Sequence, residues 1–377
     1  MAGYIFLLNS DNAQEMLNTC IFNGYYSTNM NPIKEKQKNF IPFESTFADY
    51  CSMKPGDNVY FFSSRKIYGI GELINIGNDC KFVNYPSASI PVQENYENIS
   101  NKMVLNDTSL NINNRWLCVF RPSPAFFDTP VDMDDVLSYK PNTFKSLRTF
   151  EGKSFTKIND DENNSLKEFI LLHNQNNTNI YQYSSDFHNK NNDKFQNEEY
   201  LLNYKPLLDF VSQSDNKIKH EMALESAVVL ELSNNSNSIF GNWDYISHQV
   251  EASPFKPIVY MDKIDVFGYR FLPNTKIISK YLIIENKKDE ANLNVAEQIS
   301  KYIDWIVKHY AYGNYEMVEA YIVASNFSDE LLKSGKSIVE RKYIASSHPT
   351  ITKTWNNLNF VSYSYLNKEL IFKKEGI

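Results

Sequence analysis

The stretch Tyr281-Leu282-Ile283-Ile284-Glu285-Asn286-Lys287, with Ile264-Asp265-Val266 before it, decides the fold predicted for the second half of this chain. An acid followed two residues later by a lysine starts at five positions, but only Glu285 ends an apolar β-run, residues 277–284. Because side chains alternate between the faces of a strand, Glu285 and Lys287 are expected on one face, roughly 7 Å apart. The stretch therefore predicts a strand that presents a carboxylate and an ammonium side by side.

A second carboxylate is expected beside them. Asp265 closes the preceding strand-like run, residues 257–266. A turn that contains Gly268 and Pro273 is expected to return the chain as an antiparallel neighbour. Two adjacent strand ends would then deliver Asp265 close to Glu285.

This combination suits metal-assisted hydrolysis. Mg²⁺ takes hard oxygen ligands and is usually held by one or two carboxylates plus a substrate phosphate. We therefore expect Asp265 and Glu285 to bind Mg²⁺, with Mn²⁺ able to substitute. A nearby lysine can orient or help deprotonate the metal-bound water, and Lys287 is the candidate. The alternative role of Lys287 is a surface ion pair with Glu285.

A helix predicted near residues 216–232 carries a carboxylate within its apolar stripe. Glu225 falls on that stripe, and a buried carboxylate is costly unless it is paired or bound to metal. The alternatives are that Glu225 borders the stripe at the helix surface, or that Glu221, one turn earlier, takes its place. The apolar members of the stripe are Ile218, Met222 and Val229.

A second helix, predicted over residues 293–310, carries a polar side chain beside its stripe. Gln298 is expected to face the sheet, where it would position a water or a phosphate. An ordinary hydrogen-bonded core amide is an equally good interpretation of this spacing. The stripe consists of Val295, Ile299, Tyr302 and Ile306.

Composition limits the classes of protein that fit. The 377 residues are 42% apolar and 14% aromatic, which is enough for two or three cored domains. A net charge of −7 argues against a protein that simply coats a polyanion, although a basic cleft can be local. The lysines near the motif fit such a cleft or a solvated sheet edge equally well. They are Lys276, Lys280, Lys287 and Lys288.

Targeting and cysteine patterns point to an intracellular protein. The opening MAGYIFLLNS lacks a positive region before its short apolar run, and no segment approaches 18 uninterrupted apolar residues. We expect a soluble, cytoplasmic protein. Cys20, Cys51, Cys80 and Cys118 form no CxxC pair, so neither a disulfide framework nor a zinc site is predicted.

Three regions are predicted along the chain. Residues 1–155 are rich in aromatic and β-forming residues and predict a β-rich domain. Residues 156–210 combine a short helix with an Asn-rich linker, and residues 211–377 alternate helices and strands. The fold class is therefore mixed, α+β and α/β, with a mixed central sheet in the last region.

The second half resembles a known superfamily. Four segments, in order and spacing, are similar to the PD-(D/E)XK, or restriction-endonuclease-like, nucleases, and within them to NucS-type mismatch endonucleases. The resemblance covers about residues 216–365. It implies Asp265 and Glu285 as metal ligands, Lys287 as the water-handling lysine, and Glu225 and Gln298 as supporting polar groups. The segments are Leu224-Glu225, Ile264-Asp265-Val266, Ile284-Glu285-Asn286-Lys287-Lys288 and Glu297-Gln298-Ile299-Ser300-Lys301-Tyr302.

The first half carries a shorter resemblance. Residues 56–64 followed by 67–73 are similar to EVE and related PUA-like β-barrels, which implies a nucleic-acid reader, in some relatives for modified bases. Aromatic rings would stack on a flipped base, although aromatics in a β-rich domain are more often core. None is assigned as a site. The rings considered are Tyr25, Tyr26, Trp116, Phe126 and Phe127.

These patterns support three hypotheses. The first is a Mg²⁺-dependent restriction-type endonuclease that acts as a homodimer on double-stranded DNA, with the first half reading a sequence or a modified base. The second is a mismatch-specific or structure-specific repair endonuclease. The third is a DNA-binding protein that no longer cleaves, against which the complete set of Asp265, Glu285 and Lys287 argues. RNA stays an alternative substrate, because backbone hydrolysis does not specify the sugar.

Overall fold

A computed structural model describes residues 1–8, 12–33, 40–149, 155–212, 217–234, 238–252 and 262–376. The chain divides into two compact units. The first comprises Met1–Phe43 and Met53–Asn203, and the second comprises Glu44–Ser52 and Tyr204–Ile377. The second unit therefore includes a short segment from the first fifty-odd residues of the chain.

The first unit is built on a sheet with helices at its margins. Its strands are β1 (Gly3–Leu7), β2 (Tyr25–Asn29), β3 (Asn58–Ser63), β4 (Lys66–Leu73), β5 (Lys81–Val83), β6 (Asn114–Pro122), β7 (Val131–Asp132) and β8 (Phe155–Ile158). Its helices are α1 (Ala13–Asn23), the start of α2 (Ile41–Cys51), α3 (Tyr96–Ile99), α4 (Met133–Tyr139), α5 (Asp160–His173), α6 (Asp186–Lys190) and α7 (Asn192–Gln196).

The sheet of the first unit curls into a half-barrel. Its main path runs β2-β6-β4-β3-β1-β8, with β5 paired to β6 and β7 paired to β4. Strands β1 and β3 are parallel, and the other pairs are antiparallel. Successive residues along β1, β3 and β6 are buried, so these strands are covered on both faces.

Most of the aromatic rings considered as stacking faces lie in the core. Tyr26, Trp116 and Phe126 are buried. Tyr26 stacks on Phe6 with ring centroids 4.0 Å apart, and Trp116 meets Phe43 edge-on at 4.7 Å. Packing of this kind is the ordinary role of aromatics in a β-rich domain.

The second unit alternates helices and strands. Its helices are the rest of α2, α8 (Lys205–Val211), α9 (Glu221–Ser233), α10 (Leu293–His309) and α11 (Asp329–Val339). Its strands are β9 (Tyr245–Glu251), β10 (Lys263–Phe271), β11 (Ile278–Ala291), β12 (Val318–Phe327), β13 (Arg341–Ser347), β14 (Thr350–Trp355), β15 (Leu358–Leu366) and β16 (Glu369–Lys374).

The central sheet of this unit is mixed, in the order β16-β15-β12-β11-β10-β9. Strands β9, β10 and β11 form an antiparallel meander, and then β12 and β15 run parallel to β11. Helices α10 and α11 make the crossovers that parallel strands require. The mixed fold class predicted from the sequence is confirmed.

The turn between the two site strands differs from the prediction. Gly268 lies inside β10, paired with Ile246 and Leu282, and the chain reverses at residues 272–277. A Cβ at Gly268 would lie 2.7 Å from the carbonyl oxygen of Tyr245, so the glycine allows close strand approach and does not form the turn. Asp265 correspondingly lies near the start of β10, and the predicted strand residues before 262 lie outside the described residues.

Helix α9 also differs from the predicted amphipathic helix. It begins at Glu221, so Ile218 precedes it and bridges to Ser212. Residues 223–230 are all buried, which is typical of a helix covered on every side. Burial of Glu225 therefore follows from the position of the whole helix and not from an apolar stripe.

Helix α10 follows the predicted pattern closely. Its buried residues include the whole predicted stripe. The following helix, α11, is capped by Ser328, whose side chain accepts a hydrogen bond from the Leu331 backbone.

Within the described residues, no helix combines the length and the apolar character needed to cross a lipid bilayer.

Candidate active site

Strands β10 and β11 bring the two predicted metal ligands together. The antiparallel register pairs Val266 with Ile284, which places Asp265 beside Glu285 at one end of the ladder. Asp265 is 9% exposed, and its Oδ2 accepts a 2.7 Å hydrogen bond from the backbone N–H of Asn286. The aspartate is thus held by the strand that carries the second carboxylate.

Glu285 and Lys287 share one face of β11, as the period of a strand requires. The Lys287 ammonium donates to Glu285 Oε1 at 2.8 Å and to Glu221 Oε1 at 3.3 Å. Glu285 is fully buried, and its other oxygen, Oε2, has no hydrogen-bond partner among the described residues. Glu221 also accepts from the Lys288 backbone, so both glutamates considered on α9 reach the site.

Glu225 joins the site through a residue that the sequence patterns did not indicate. Gln249 donates from Nε2 to Glu225 Oε2 at 2.9 Å and to Asp265 Oδ1 at 3.4 Å. Its backbone has a φ of 51°, a left-handed conformation that is uncommon in a strand residue other than glycine. This conformation directs the amide between the two carboxylates, and strained residues of this kind cluster at functional sites.

The other oxygen of Glu225 is bound by a buried histidine. His248 Nδ1 lies 2.9 Å from Glu225 Oε1, and His248 Nε2 lies 2.8 Å from Asp49 Oδ1. The His248 side chain is 3% exposed. Asp49 belongs to α2, in the segment Glu44–Ser52 that the second unit includes. A hydrogen-bonded chain therefore runs from Asp49 through His248, Glu225 and Gln249 to Asp265.

The electrostatics of this cluster are dominated by burial and like charge. Burial raises the pKa of Asp265 well above its usual range, and the charges of Glu285 and Glu225 add to the effect. Burial likewise raises the pKa of Glu285 to about 7, although Lys287 opposes the shift. The pKa of Glu225 is raised by burial despite its hydrogen bond to His248.

At the two basic groups, burial and the neighbouring carboxylates shift the pKa in opposite directions. Burial alone would lower the pKa of His248, but Asp49 and Glu225 outweigh it and raise that pKa to about 10. Burial also opposes protonation of Lys287, and Glu285, Asp265 and Glu221 together raise its pKa. The site therefore holds two cations against a larger number of carboxylates, which favours binding of a further cation.

The donor set suits a hard divalent cation. Among the described residues, no group of three or more His, Cys, Asp or Glu side chains is arranged to hold a metal ion. Mg²⁺ needs only one or two carboxylates and fills its other positions with water and phosphate oxygens. The unpartnered Glu285 Oε2 and the neighbouring Asp265 carboxylate supply such ligands.

Gln298 lies at the edge of the cluster and not within it. Its Nε2 donates to the Tyr302 hydroxyl at 2.9 Å. Burial raises the pKa of Tyr302, and the charges of Glu285 and Asp265 contribute to the shift, so the ring lies within their electrostatic reach. Gln298 thus approaches the carboxylates through Tyr302.

The four lysines near the motif separate into two pairs. Lys287 and Lys288 lie beside the carboxylates. Lys280 lies near the start of β11, where it is opposite Arg270 in the register of β10 and β11. Seven residues of strand place Lys280 roughly 23 Å from Lys287. Lys276, in the preceding turn, lies over the Phe271 ring. The basic cluster at the motif is therefore smaller than the closeness of the four lysines in the sequence indicated.

Sequence patterns missed Asp49, His248 and Gln249. The one local signal was a polar run, Ser247-His248-Gln249, which forms part of β9. Asp49 offered none, because its partner lies almost two hundred positions along the chain.

Comparison with known proteins adds little to this geometry. No family model matches the chain, and no curated protein matches it. A solved repair endonuclease from Pyrococcus abyssi is 20% identical over a match that covers 33% of this chain and 46% of that one, with a TM-score of 0.20. A TM-score this low supports no argument about fold or function. The site is therefore interpreted from its own residues.

Proposed function

We propose that this protein is a magnesium-dependent DNA endonuclease. The observation that carries the proposal is the convergence of Asp265, Glu285 and Lys287 at one end of β10 and β11. There Glu285 Oε2 is buried, and none of the residues that the structure describes forms a hydrogen bond with it. A buried carboxylate oxygen without a partner is costly, and a bound cation would remove that cost. The cluster is thus better explained by a ligand than by packing.

Each residue has a role in phosphodiester hydrolysis. Asp265 and Glu285 would hold Mg²⁺, which when bound lowers the pKa of a coordinated water and neutralises charge on the attacked phosphate. Gln249 and the Asn286 backbone N–H orient the Asp265 carboxylate. Gln298 supports the site indirectly, through the Tyr302 hydroxyl.

Lys287 acts as a cation in this scheme. Its ammonium is shared by Glu285 and Glu221, and their charges help to keep it protonated. A protonated lysine donates hydrogen bonds, so Lys287 would orient the attacking water and stabilise negative charge on the phosphate. It is therefore proposed as a positioning and charge-stabilising group and not as the general base.

The substrate proposed is double-stranded DNA cleaved in a restriction-type reaction, with the first unit reading a sequence or a modified base. Cleavage of both strands would use two copies of the chain, one site for each strand. A repair enzyme that recognises mismatched or branched DNA uses the same chemistry, so substrate choice separates these two functions.

The first experiment compares phage DNA with and without modified cytosine, incubated with Mg²⁺ and the full chain. Asp265→Ala and Glu285→Ala test the two ligands. Asp289→Asn is the matched control, because Asp289 lies on the same strand but is 63% exposed and paired with Lys288. Discrete fragments with wild type and the control, absent with both alanine variants, are expected.

The outcome also selects the substrate class. Cleavage of one DNA type alone would support the restriction-type function. If neither is cut, mismatched duplexes, branched duplexes and RNA are assayed next with the same variants. If wild type hydrolyses none of these substrates, the nuclease proposal is overturned. A DNA-binding protein that does not cleave is then favoured.

A further inference from the structure

Helix α2 contributes a side chain to the candidate active site although it lies far from it in sequence. Asp49 Oδ1 is 2.8 Å from His248 Nε2, and the opposite ring nitrogen is 2.9 Å from Glu225 Oε1. Both acceptors are carboxylates, so each ring nitrogen carries a proton and the imidazole is cationic. Asp49 therefore helps to hold a buried cation next to Glu225.

The contacts continue from that cation to a proposed metal ligand. Glu225 is 1% exposed and accepts from His248 on one oxygen and from Gln249 on the other. Gln249 in turn reaches Asp265 Oδ1 at 3.4 Å. Because every member is buried or partly buried, rotation of one side chain would leave its neighbour without a partner, which is costly in a low-dielectric environment.

We propose that Asp49 is a positioning residue of the nuclease site, acting through His248 to fix the orientation of Glu225, Gln249 and Asp265. The inference rests on the proposed function and extends it: the catalytic unit is discontinuous, and Asp49, from the segment Glu44–Ser52, completes it. The Asp49 side chain is hydrogen-bonded to His248 and not to either proposed metal ligand. Its effect is on how well Asp265 is preorganised to bind the cation.

A purely structural role for α2 is the competing explanation, and the helix itself offers the control. Glu44, one and a half turns before Asp49, is buried, and it too lies close to a histidine, 2.7 Å from His220, just before α9. Both are carboxylate–histidine pairs between α2 and the rest of the second unit. The Glu44–His220 pair stands outside the chain of contacts that leads from Asp49 to Asp265. Losing either pair should weaken docking of α2, but only loss of the Asp49 pair should disturb the metal site.

The experiment compares Asp49→Asn with Glu44→Gln in the full chain. Three quantities are measured: the unfolding temperature, the Mn²⁺ affinity from the electron paramagnetic resonance signal of free Mn²⁺ without DNA, and kcat and KM for Mg²⁺-dependent cleavage of plasmid DNA. For Asp49→Asn we expect Mn²⁺ affinity and kcat to fall 10- to 100-fold, the range found for residues that orient metal ligands, with KM unchanged. Glu44→Gln is expected to change only the unfolding temperature.

Two results would overturn the inference: unchanged Mn²⁺ affinity and kcat in Asp49→Asn, or equal losses in both variants. If Asp49→Asn is unfolded at the assay temperature, Asp49→Glu provides the test, because it keeps the charge and moves it by one methylene. The same selective fall in Mn²⁺ affinity and kcat is expected there, and its absence would count against the inference. Because Mn²⁺ binding is measured without DNA, a wild type that cleaves no substrate refutes the nuclease proposal and leaves the Asp49 test valid.

Discussion

Glu285 is one of the site carboxylates whose ionised form is destabilised by burial. Its carboxylate is fully buried, and one ammonium, that of Lys287, is its hydrogen-bonded partner at 2.8 Å. Burial raises its pKa to about 7, which means that the folded protein binds this proton more tightly than the unfolded chain does. The metal-free protein is therefore destabilised when Glu285 ionises, so its free energy of unfolding depends on pH.

The first prediction concerns this dependence in the presence of EDTA. Between pH 4.5 and 7 the folded state holds more protons than the unfolded state at Glu285, so stability falls as pH rises through this window. The loss is on the order of 3 kcal/mol, from the size of the pKa shift. Glu285→Gln should remove it, so the variant should be more stable than wild type at pH 8 and similar at pH 4.5. Urea unfolding at both pH values measures this, and parallel stability curves would contradict it.

The second prediction separates metal binding from chemistry at Lys287. Lys287→Met removes the ammonium that Glu285 and Glu221 share but keeps both proposed metal ligands. Cleavage of plasmid DNA should fall about 10²- to 10³-fold, the loss typical when one donor that stabilises charge in the transition state is removed. Mn²⁺ affinity should change by much less than the rate.

Lys288→Met is the control for that variant. Lys288 is the next residue and pairs with Asp289 at 3.4 Å, on the exposed part of the strand. Its loss should leave the rate close to that of wild type. Equal losses of rate in the two variants would show that general positive charge, and not the position of Lys287, supports cleavage.

At the level of elements, β9 supplies the side chain, that of Gln249, which is hydrogen-bonded to both α9 and β10. His248 and Gln249 are neighbours on this strand, yet both point to Glu225, one to each carboxylate oxygen. Successive side chains on a regular strand point to opposite faces, so this arrangement requires an irregular backbone. The left-handed φ of Gln249, 51°, supplies it.

The third prediction tests that irregularity by comparing Gln249→Ala with Gln249→Gly. Both remove the amide that bridges Glu225 and Asp265, so both should lose cleavage activity. Only glycine adopts a left-handed conformation without cost, and other residues lose about 1 kcal/mol there. The glycine variant should therefore unfold at a higher temperature than the alanine variant. The reverse order would mean that the left-handed backbone at this position is not retained in solution.

At the scale of the whole molecule, the reactivity of the four cysteine thiols measures how well each unit excludes solvent and reagents from its core. Cys20, Cys51, Cys80 and Cys118 are buried and are not joined in disulfides. Burial raises the pKa of Cys20 to about 12 and that of Cys80 well above its usual range. A thiol in this state forms little thiolate, which is the reactive species.

The fourth prediction follows from that burial. Ellman's reagent should label the native protein slowly, at a rate set by opening of the structure, and should label all four thiols rapidly in urea. Stoichiometric labelling within seconds at pH 8 under native conditions would contradict the burial. Mg²⁺, as a proposed ligand of the folded second unit, should further slow labelling of Cys51, which belongs to that unit.

Several parts of the second unit could be predicted because they depend on local periodicity. The period of two placed Glu285 and Lys287 on one face of β11, and the period of 3.6 defined the buried stripe of α10. Burial of Glu225 was anticipated too, although the reason lay in a helix covered on all sides and not in its pattern.

The sequence by itself therefore determined the strand and helix that carry the central motif, because those elements follow from the spacing of nearby residues. Only the tertiary structure decided which groups surround the carboxylates. Asp49 meets His248 across 199 positions, and the left-handed backbone of Gln249 has no local sequence signal. Periodicity describes neighbours along the chain, whereas hydrogen bonds between distant elements form only when the packing of those elements brings donor and acceptor together.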